Sequence, residues 1–172
     1  MHHIFFPRLK TVSRRKAIFA GALLAFSYSQ ANAVADSACT DLLQHKFPAT
    51  MKLDLQSAKL NEAEAFCQIT GNVNSRTGID GKHYAIGFEM RLPLNWNGRF
   101  VYQMNGGNDG AVVPAEGDVY EGRSARARGF AVLSTNAGHD GNAAENQQYG
   151  LAAGNRFGLD PQAREDYGYK TT

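Results

Sequence analysis

The chain has 172 residues, which suits one domain. It carries 18 Lys and Arg against 16 Asp and Glu, but five of the basic residues and none of the acidic ones lie in residues 1–33, so the remainder carries 13 against 16, a net −3 with His neutral. The basic pI of 8.6 therefore belongs to the first 33 residues, and nucleic-acid binding loses its main support in the sequence.

Those first residues have three parts. Arg8, Lys10, Arg14, Arg15 and Lys16 form a basic region. Residues 17–26 (AIFAGALLAF) are an apolar run too short to span a bilayer, and Ala31-Asn32-Ala33 is a small-x-small cleavage site. Together they predict a secretory signal peptide over 1–33, a domain over 34–172, and a secreted or periplasmic protein with no membrane partner. Ser13-Arg14-Arg15 suggests twin-arginine export, but Lys16-Ala17-Ile18-Phe19 fits that route poorly and ordinary secretion is expected.

The two cysteines, Cys39 and Cys67, both follow the leader, and an even count in an exported chain favours a disulfide. Such a bridge would contribute roughly 3.5 kcal/mol in the chain-entropy model. No CxxC pair or Cys/His cluster suggests zinc.

Residues 41–44 read as a short helical turn and 60–66 as helical or irregular. FCQITGNV (66–73) reads as a strand broken at Gly71, and NSRTGIDGK (74–82) has turn chemistry. YAIGFEMRL (84–92) alternates cleanly as a strand. PLNWNG (93–98) is a turn, and 99–104 is the next strand, with Phe100, Tyr102 and Met104 on one face. A short connection predicts antiparallel pairing of these two strands.

The second strand runs into Asn105, Gly106, Gly107, Asn108, Asp109 and Gly110, which remove nearly all side-chain bulk. Such a loop lets backbone approach a ligand and leaves N–H groups free to point at it. In ester hydrolases those groups hold the oxyanion of the tetrahedral intermediate. Local pattern alone favours the plainer reading, a wide hairpin turn.

Residues 119–128 have helix-forming composition and Gly129 stops them; Arg123, Arg126 and Arg128, beside Glu121, read as a solvated helix face. FAVLS (130–134) is a continuous apolar run suited to a strand buried on both faces, as in α/β folds. Residues 136–158 read as loop. Asp160 as N-cap and Pro161 in the first turn open a further helix.

No Gly-x-Ser-x-Gly and no Cys-Ser pair occurs. The nearest approach is Gly122-Arg123-Ser124-Ala125-Arg126, where Ser124 reads as a surface residue, and Ser134 ends a strand. Asp109 and Asp140 lack a ligand series at calcium spacing, so loop and capping roles are expected and no metal site is assigned.

In order and spacing, FCQITGNV, IGFEMRLPLNWNGRFVYQMNGGNDG, RGFAVLSTNAGH and FGLDPQAREDYGY resemble the tannase and feruloyl esterase family. The resemblance implies a secreted serine esterase with an α/β-hydrolase core and a large lid, acting on small aromatic-acid esters such as gallates or ferulates. It implies a calcium site in the lid and no cofactor in this chain. The fold expected here is α/β, an incomplete α/β-hydrolase fold ending before the nucleophile elbow. Gly106 and Gly107 match the glycine loop and become the oxyanion-hole backbone candidates. Cys39 and Cys67 match an N-terminal structural disulfide, and His139 matches a family position after strand 130–134 that is not the triad histidine: it would line the substrate cleft or, on the plainer reading, be a hydrogen-bonded structural histidine. Without nucleophile, triad Asp and triad His, the chain is expected to be an amino-terminal fragment, inactive alone. Strand 130–134 would then expose an apolar edge. The alternative is a small secreted β-rich binding module using Trp96, Tyr84 and Tyr102 as ring platforms.

Overall fold

A computed structural model describes residues 35–106, 108–118 and 122–170. The expected signal peptide, Gly107 and the start of the expected 119–128 helix lie outside these described residues.

Helix α1 (35–40) brings Cys39 over the sheet, followed by a 3-10 turn at Asp41–Gln44. The strands are β1 (Leu53–Asn61), β2 (Phe66–Thr77), β3 (His83–Pro93), β4 (Phe100–Gln103) and β5 (Ala131–Thr135). They form one sheet in the order β1-β2-β3-β5-β4. The first three meander antiparallel, β5 is antiparallel to β3, and β4 is parallel to β5. This is a mixed sheet compatible with an α/β fold.

Two expectations are corrected by this order. β3 and β4 do not pair, because β5 lies between them: Phe88 faces Thr135 on one side and Tyr102 faces Leu133 on the other. Burial explains the insertion. Val132 and Ser134 are fully buried, whereas Phe100 on β4 is 54% exposed, so the apolar run occupies the middle and β4 the rim. The exposed apolar edge expected of 130–134 is therefore covered; among the described residues the open edges belong to β1 and β4.

Gly71 does not break β2. A Cβ there would lie 2.4 Å from the Asp54 carbonyl oxygen and 3.0 Å from the Phe88 ring, so glycine permits a close approach within a continuous strand. The strand reaches Thr77 through an irregularity between Val73 and Arg76, which confines the turn to 78–82. β1 accounts for the start of the segment read as helical or irregular, and turns fill 62–65.

The chain from β4 to β5 is tied down by charge. Glu116 accepts from both Arg91 and Arg126. Arg126 also pairs with Glu64 at 2.5 Å and lies 4.6 Å over the Phe66 ring. Glu89 Oε1 accepts from Arg91 Nε at 2.7 Å and from the Ala115 amide at 3.0 Å. Burial alone would raise the Glu116 carboxyl, but hydrogen bonds from Arg126 and Ser124 and the charges of Arg126 and Arg91 outweigh it and hold its pKa below the ordinary range. The described part of 119–128 is helical only as a 3-10 turn at Arg126–Arg128, closed by Gly129 at φ +83°. Arg126 thus leaves the expected solvated face and becomes a packed, paired side chain.

Two clusters form the core. Cys39, Ala58, Cys67 and Ile69 pack with Phe88 and Met90 on one side; Ala115, Ala125 and Val132 pack with Val101 and Phe130 on the other. The Cys39–Cys67 disulfide bridges α1 to β2 with a Cα separation of 5.7 Å, as expected. Residues 144–159 are not loop throughout: 3-10 turns span Ala144–Leu159 and kink at Gly150. Helix α2 (Pro161–Glu165) opens as predicted, with Asp160 accepting from the Ala163 amide and Pro161 in the first turn.

Candidate functional site

Parallel β4 and β5 end at the same rim of the sheet. Ligands of open α/β sheets bind outside the carboxyl ends of strands. The loops leaving this rim are 105–110 and 136–141. The first is not a hairpin turn, since β4 finds its described partner only in the parallel β5.

Two asparagines lock the loops together. Asn105 Nδ2 donates to the carbonyls of Thr135 (2.8 Å) and Ala111 (3.1 Å) and to Ser134 Oγ (3.3 Å). Asn136 Oδ1 accepts from the amides of Gly87 (2.9 Å) and Gly138 (3.0 Å), and its carbonyl accepts from Gly110 N at 3.2 Å. The Gly110 carbonyl in turn accepts from Gly141 N at 2.9 Å. Tyr102 Oη and Thr135 Oγ1, 2.8 Å apart, join the strand ends beneath. Neither asparagine was singled out from the sequence; the Asx-turn pattern Asn-x-Gly at 136–138 was the available signal.

Two of the five described non-glycine residues with positive φ lie here. Asp109 and Ala137 each have φ +53°, and Gly110 and Gly138 each have φ +83°. Non-glycine residues in this region cost about 1–3 kcal/mol each and persist where the surroundings enforce them, often at functional sites. At Gly110 a Cβ would lie 2.6 Å from Gly141 N and 2.9 Å from His139 Nε2, so only glycine fits. Gly106 is exposed, and a Cβ there would meet nothing within 4 Å. Gly107, the companion oxyanion candidate, lies outside the described residues.

His139 is 2% exposed. Its ring stacks on Phe157 at 3.8 Å between centroids, 18° from parallel, with Tyr167 at 5.8 Å. Oδ1 of Asp109 is buried with no hydrogen-bond partner among the described residues, and the ring nitrogens of His139 face the backbone of Ala137 and Asn108 without a well-formed hydrogen bond. An unsatisfied buried polar group costs about 1–3 kcal/mol. Burial pushes the His139 pKa down; the Ala137 and Asn108 backbone and the Asp109 and Asp140 carboxylates pull the other way without overcoming it. The ring is therefore neutral at neutral pH. It forms the inner wall of a groove of about 320 Å³ that Lys82, Tyr84, Ala143, Asn146 and Phe157 also line.

The serines offer no nucleophile–base pair among the described residues. Ser134 is fully buried against Asn105, and half-buried Ser124 accepts from the Ala127 amide at 3.1 Å, capping a turn rather than standing free at the surface. Nor do the residues fit calcium: Asp140 Oδ1 accepts from the Asn142 amide at 2.8 Å, and no group of three His, Cys, Asp or Glu side chains converges among the described residues. The ring platforms of the binding-module alternative are reduced to one. Tyr84 is 6% exposed beneath Arg76 and donates to Asp80, Tyr102 is tied to Thr135, and only Trp96 stands out, 53% exposed.

Residues 67–172 match the model of the family described as tannase and feruloyl esterase. Over 108 residues, 61% of the chain, it is 43% identical to "Mono(2-hydroxyethyl) terephthalate hydrolase" of Piscinibacter sakaiensis. Over 105 residues it is 35% identical to "Probable feruloyl esterase B-1" of Aspergillus fumigatus. The aligned segments cover 17% and 16% of those relatives' own lengths.

Proposed function

The chain belongs to the tannase and feruloyl esterase family, and from that premise we propose that it supplies the oxyanion-loop portion of a secreted serine carboxylic-ester hydrolase acting on small aromatic-acid esters. The observation that carries this reading is the strained, cross-linked pair of loops at the carboxyl ends of β4 and β5. In the proposed mechanism a serine outside these 172 residues attacks the ester carbonyl. Backbone N–H groups near Gly106 and Gly107 then receive the developing oxyanion, and the acyl-enzyme is hydrolysed. His139 stands in this proposal at the inner wall of the cleft. In this proposal the triad Asp and His, and any calcium, come from parts of the esterase that the aligned segment, 17% of the terephthalate hydrolase, does not span.

The rigid frame is what makes the loop useful. Fixed donors in a water-poor site stabilise charge without reorganising during reaction, and losing one typically costs about 2.7–4 kcal/mol of transition-state stabilisation. Asn105 and Asn136 supply that rigidity by bonding the loops to β3 and β5.

A chimera tests the reading. Residues 67–172 replace the matching segment of the Piscinibacter hydrolase. The chimera should hydrolyse an aromatic ester, and Gly110→Ala within it should lower kcat about 10²-fold by misplacing the loop. A folded chimera without turnover would sink the proposal. The 172-residue chain alone should show none; turnover abolished by Ser124→Ala would overturn that part.

A further inference from the structure

The groove of about 320 Å³ holds a cation without an anion. Lys82 closes the β2–β3 turn, where its amide donates to Asp80 Oδ1 at 3.1 Å and its carbonyl accepts from the Gly78 amide at 2.8 Å. Its half-buried ammonium donates to Asn146 Oδ1 at 2.7 Å and pairs with no carboxylate among the described residues. An ammonium carries three donors, so two remain. Asn146 is 6% exposed and arrives from the 3-10 segment 64 residues further along the chain. A lysine only donates, so the carboxamide turns its oxygen to Nζ, and Nδ2 of this groove-lining side chain is left without a partner among the described residues. A cation withdrawn from water beside a neutral amide is poorly compensated; an opposite charge that also hydrogen-bonds would compensate it. The opposite wall has another character. Half-buried Phe157, stacked on the His139 ring, is aromatic and apolar. Tyr84 adds ring surface only, since its hydroxyl donates to Asp80. His83, Asp140 and Glu145 also line the groove but are not buried: His83, Asp140 and Glu145 stand exposed, where water and salt screen them, and Asp140 Oδ1 is held by the Asn142 amide.

We propose that this groove is a binding site for a small aromatic carboxylate. Lys82 Nζ and Asn146 Nδ2 hold the carboxylate, and the ring lies against Phe157. The volume stands at the low end for small-molecule sites, which suits a ligand of one ring. Both parts of the ligand are needed. A neutral ring leaves the ammonium uncompensated, and a carboxylate without a ring leaves Phe157 uncovered. The charge-assisted bonds orient the ligand and the buried ring adds affinity. Such an acid is what cleavage of an aromatic ester releases. On the esterase reading, on which this last step alone rests, the groove retains the released acid.

The test uses the 172-residue chain, 15N-labelled, and no ester. Titration with benzoate should give saturable shifts of the Asn146 side-chain amide and of the Lys82 and Phe157 backbone amides. Benzamide, the same ring without charge, and acetate, the same charge without a ring, should each bind at least about tenfold more weakly, the factor one charged hydrogen bond carries. Lys82→Met keeps the stem, removes the ammonium and should weaken benzoate about tenfold. Asn146→Asp keeps the shape and the contact with Lys82 but sets a negative charge beside the ligand, so benzoate binding should vanish from a folded chain. Lys59→Met removes an exposed lysine on β1 and should leave the affinity within about twofold, less than one such bond supplies. No saturable shift with millimolar benzoate, equal binding of benzoate and benzamide, or a folded Lys82→Met chain that binds within about twofold of wild type overturns the proposal. So does an equal loss in Lys59→Met, which would assign the effect to net charge. Should Lys82→Met fail to fold, the benzamide comparison and Asn146→Asp decide. An inactive chimera would sink the esterase reading and leave these titrations standing, and a groove indifferent to benzoate would sink this inference while the chimera stays active.

Discussion

Gly106 and Gly110 sit four residues apart in one loop and answer to opposite demands. Gly110 has φ +83° and no space for a side chain; Gly106 has open space and no left-handed backbone. Gly110→Ala should therefore destabilise the chain by about 2 kcal/mol or more, while Gly106→Ala should stay within about 0.5 kcal/mol, measured by urea unfolding. Equal effects would mean that the loop is not pinned against 136–141 as the structure shows. The glycine pair was the conspicuous feature of the sequence, yet the glycine on which the packing depends is the later one. A lone Gly after Asp looks like ordinary turn chemistry until Gly141 and His139 arrive from beyond β5. The asparagine clamps were hidden for the same reason. Asn105 and Asn136 bond across loops some thirty residues apart, and no local spacing encodes that.

At the scale of elements, capping was legible and pairing was not. Asp160 before Pro161 announces a helix start because the bond it makes, to the Ala163 amide, is three residues away. The same carboxylate does more than cap. Its Oδ2 accepts from the Ile79 amide at 2.9 Å, and its Oδ1 pairs with Arg76 at 2.8 Å, joining α2 to the β2–β3 turn. Asp160 is 1% exposed. Burial alone would raise its pKa, but the Ile79 and Ala163 amides and the Arg76 guanidinium outweigh that and hold it below the ordinary carboxylate range. A carboxyl whose folded pKa is depressed contributes stability that is fully present above its unfolded value and is lost as pH falls through the folded one. Stability should thus be flat near neutrality in this contribution and fall below about pH 4. Asp160→Asn should flatten that acid limb and cost roughly 3 kcal/mol at pH 7, where it leaves Arg76 short of its nearest charge partner. Chemical denaturation at pH 3, 5 and 7 measures both, and an acid limb as steep in Asp160→Asn as in wild type would refute the assignment. Strand pairing, by contrast, follows from competition among distant segments for the buried middle of the sheet. The 130–134 run was readable as a two-face-buried strand, but its place between β3 and β4 was not, because the short turn after β3 suggested a hairpin. The Asn97 amide explains why the turn leads elsewhere: it bonds the Gly129 carbonyl at 2.9 Å, delivering the chain to the start of β5 instead of folding β4 back on β3.

For the molecule as a whole, inserting β5 moves the hazard of an open sheet edge to a different strand. β4 is short, parallel to its described neighbour, and carries Phe100, 54% exposed, at its first position. On its far side no strand pairs with it among the described residues, so its unpaired backbone groups are available to another chain. Such an edge is also where a further strand of a longer esterase would add in the proposed function, which gives the rim a reason to be apolar rather than blunted with lysine. In the 172-residue chain that same feature should drive association. Phe100→Lys places a charge at the start of the edge while removing a side chain already half in solvent, so its cost should stay within about 1 kcal/mol. Light scattering across a concentration series should show weaker self-association for Phe100→Lys than for wild type, with β-sheet content unchanged by circular dichroism. The same charge placed on β1, the opposite edge, at exposed Gln56 (Gln56→Lys) should have a smaller effect, because β1 already presents polar side chains at Asp54, Gln56 and Lys59. Equal relief from both substitutions would point to net charge rather than edge pairing as the cause, and no relief from either would remove β4 as the associating edge.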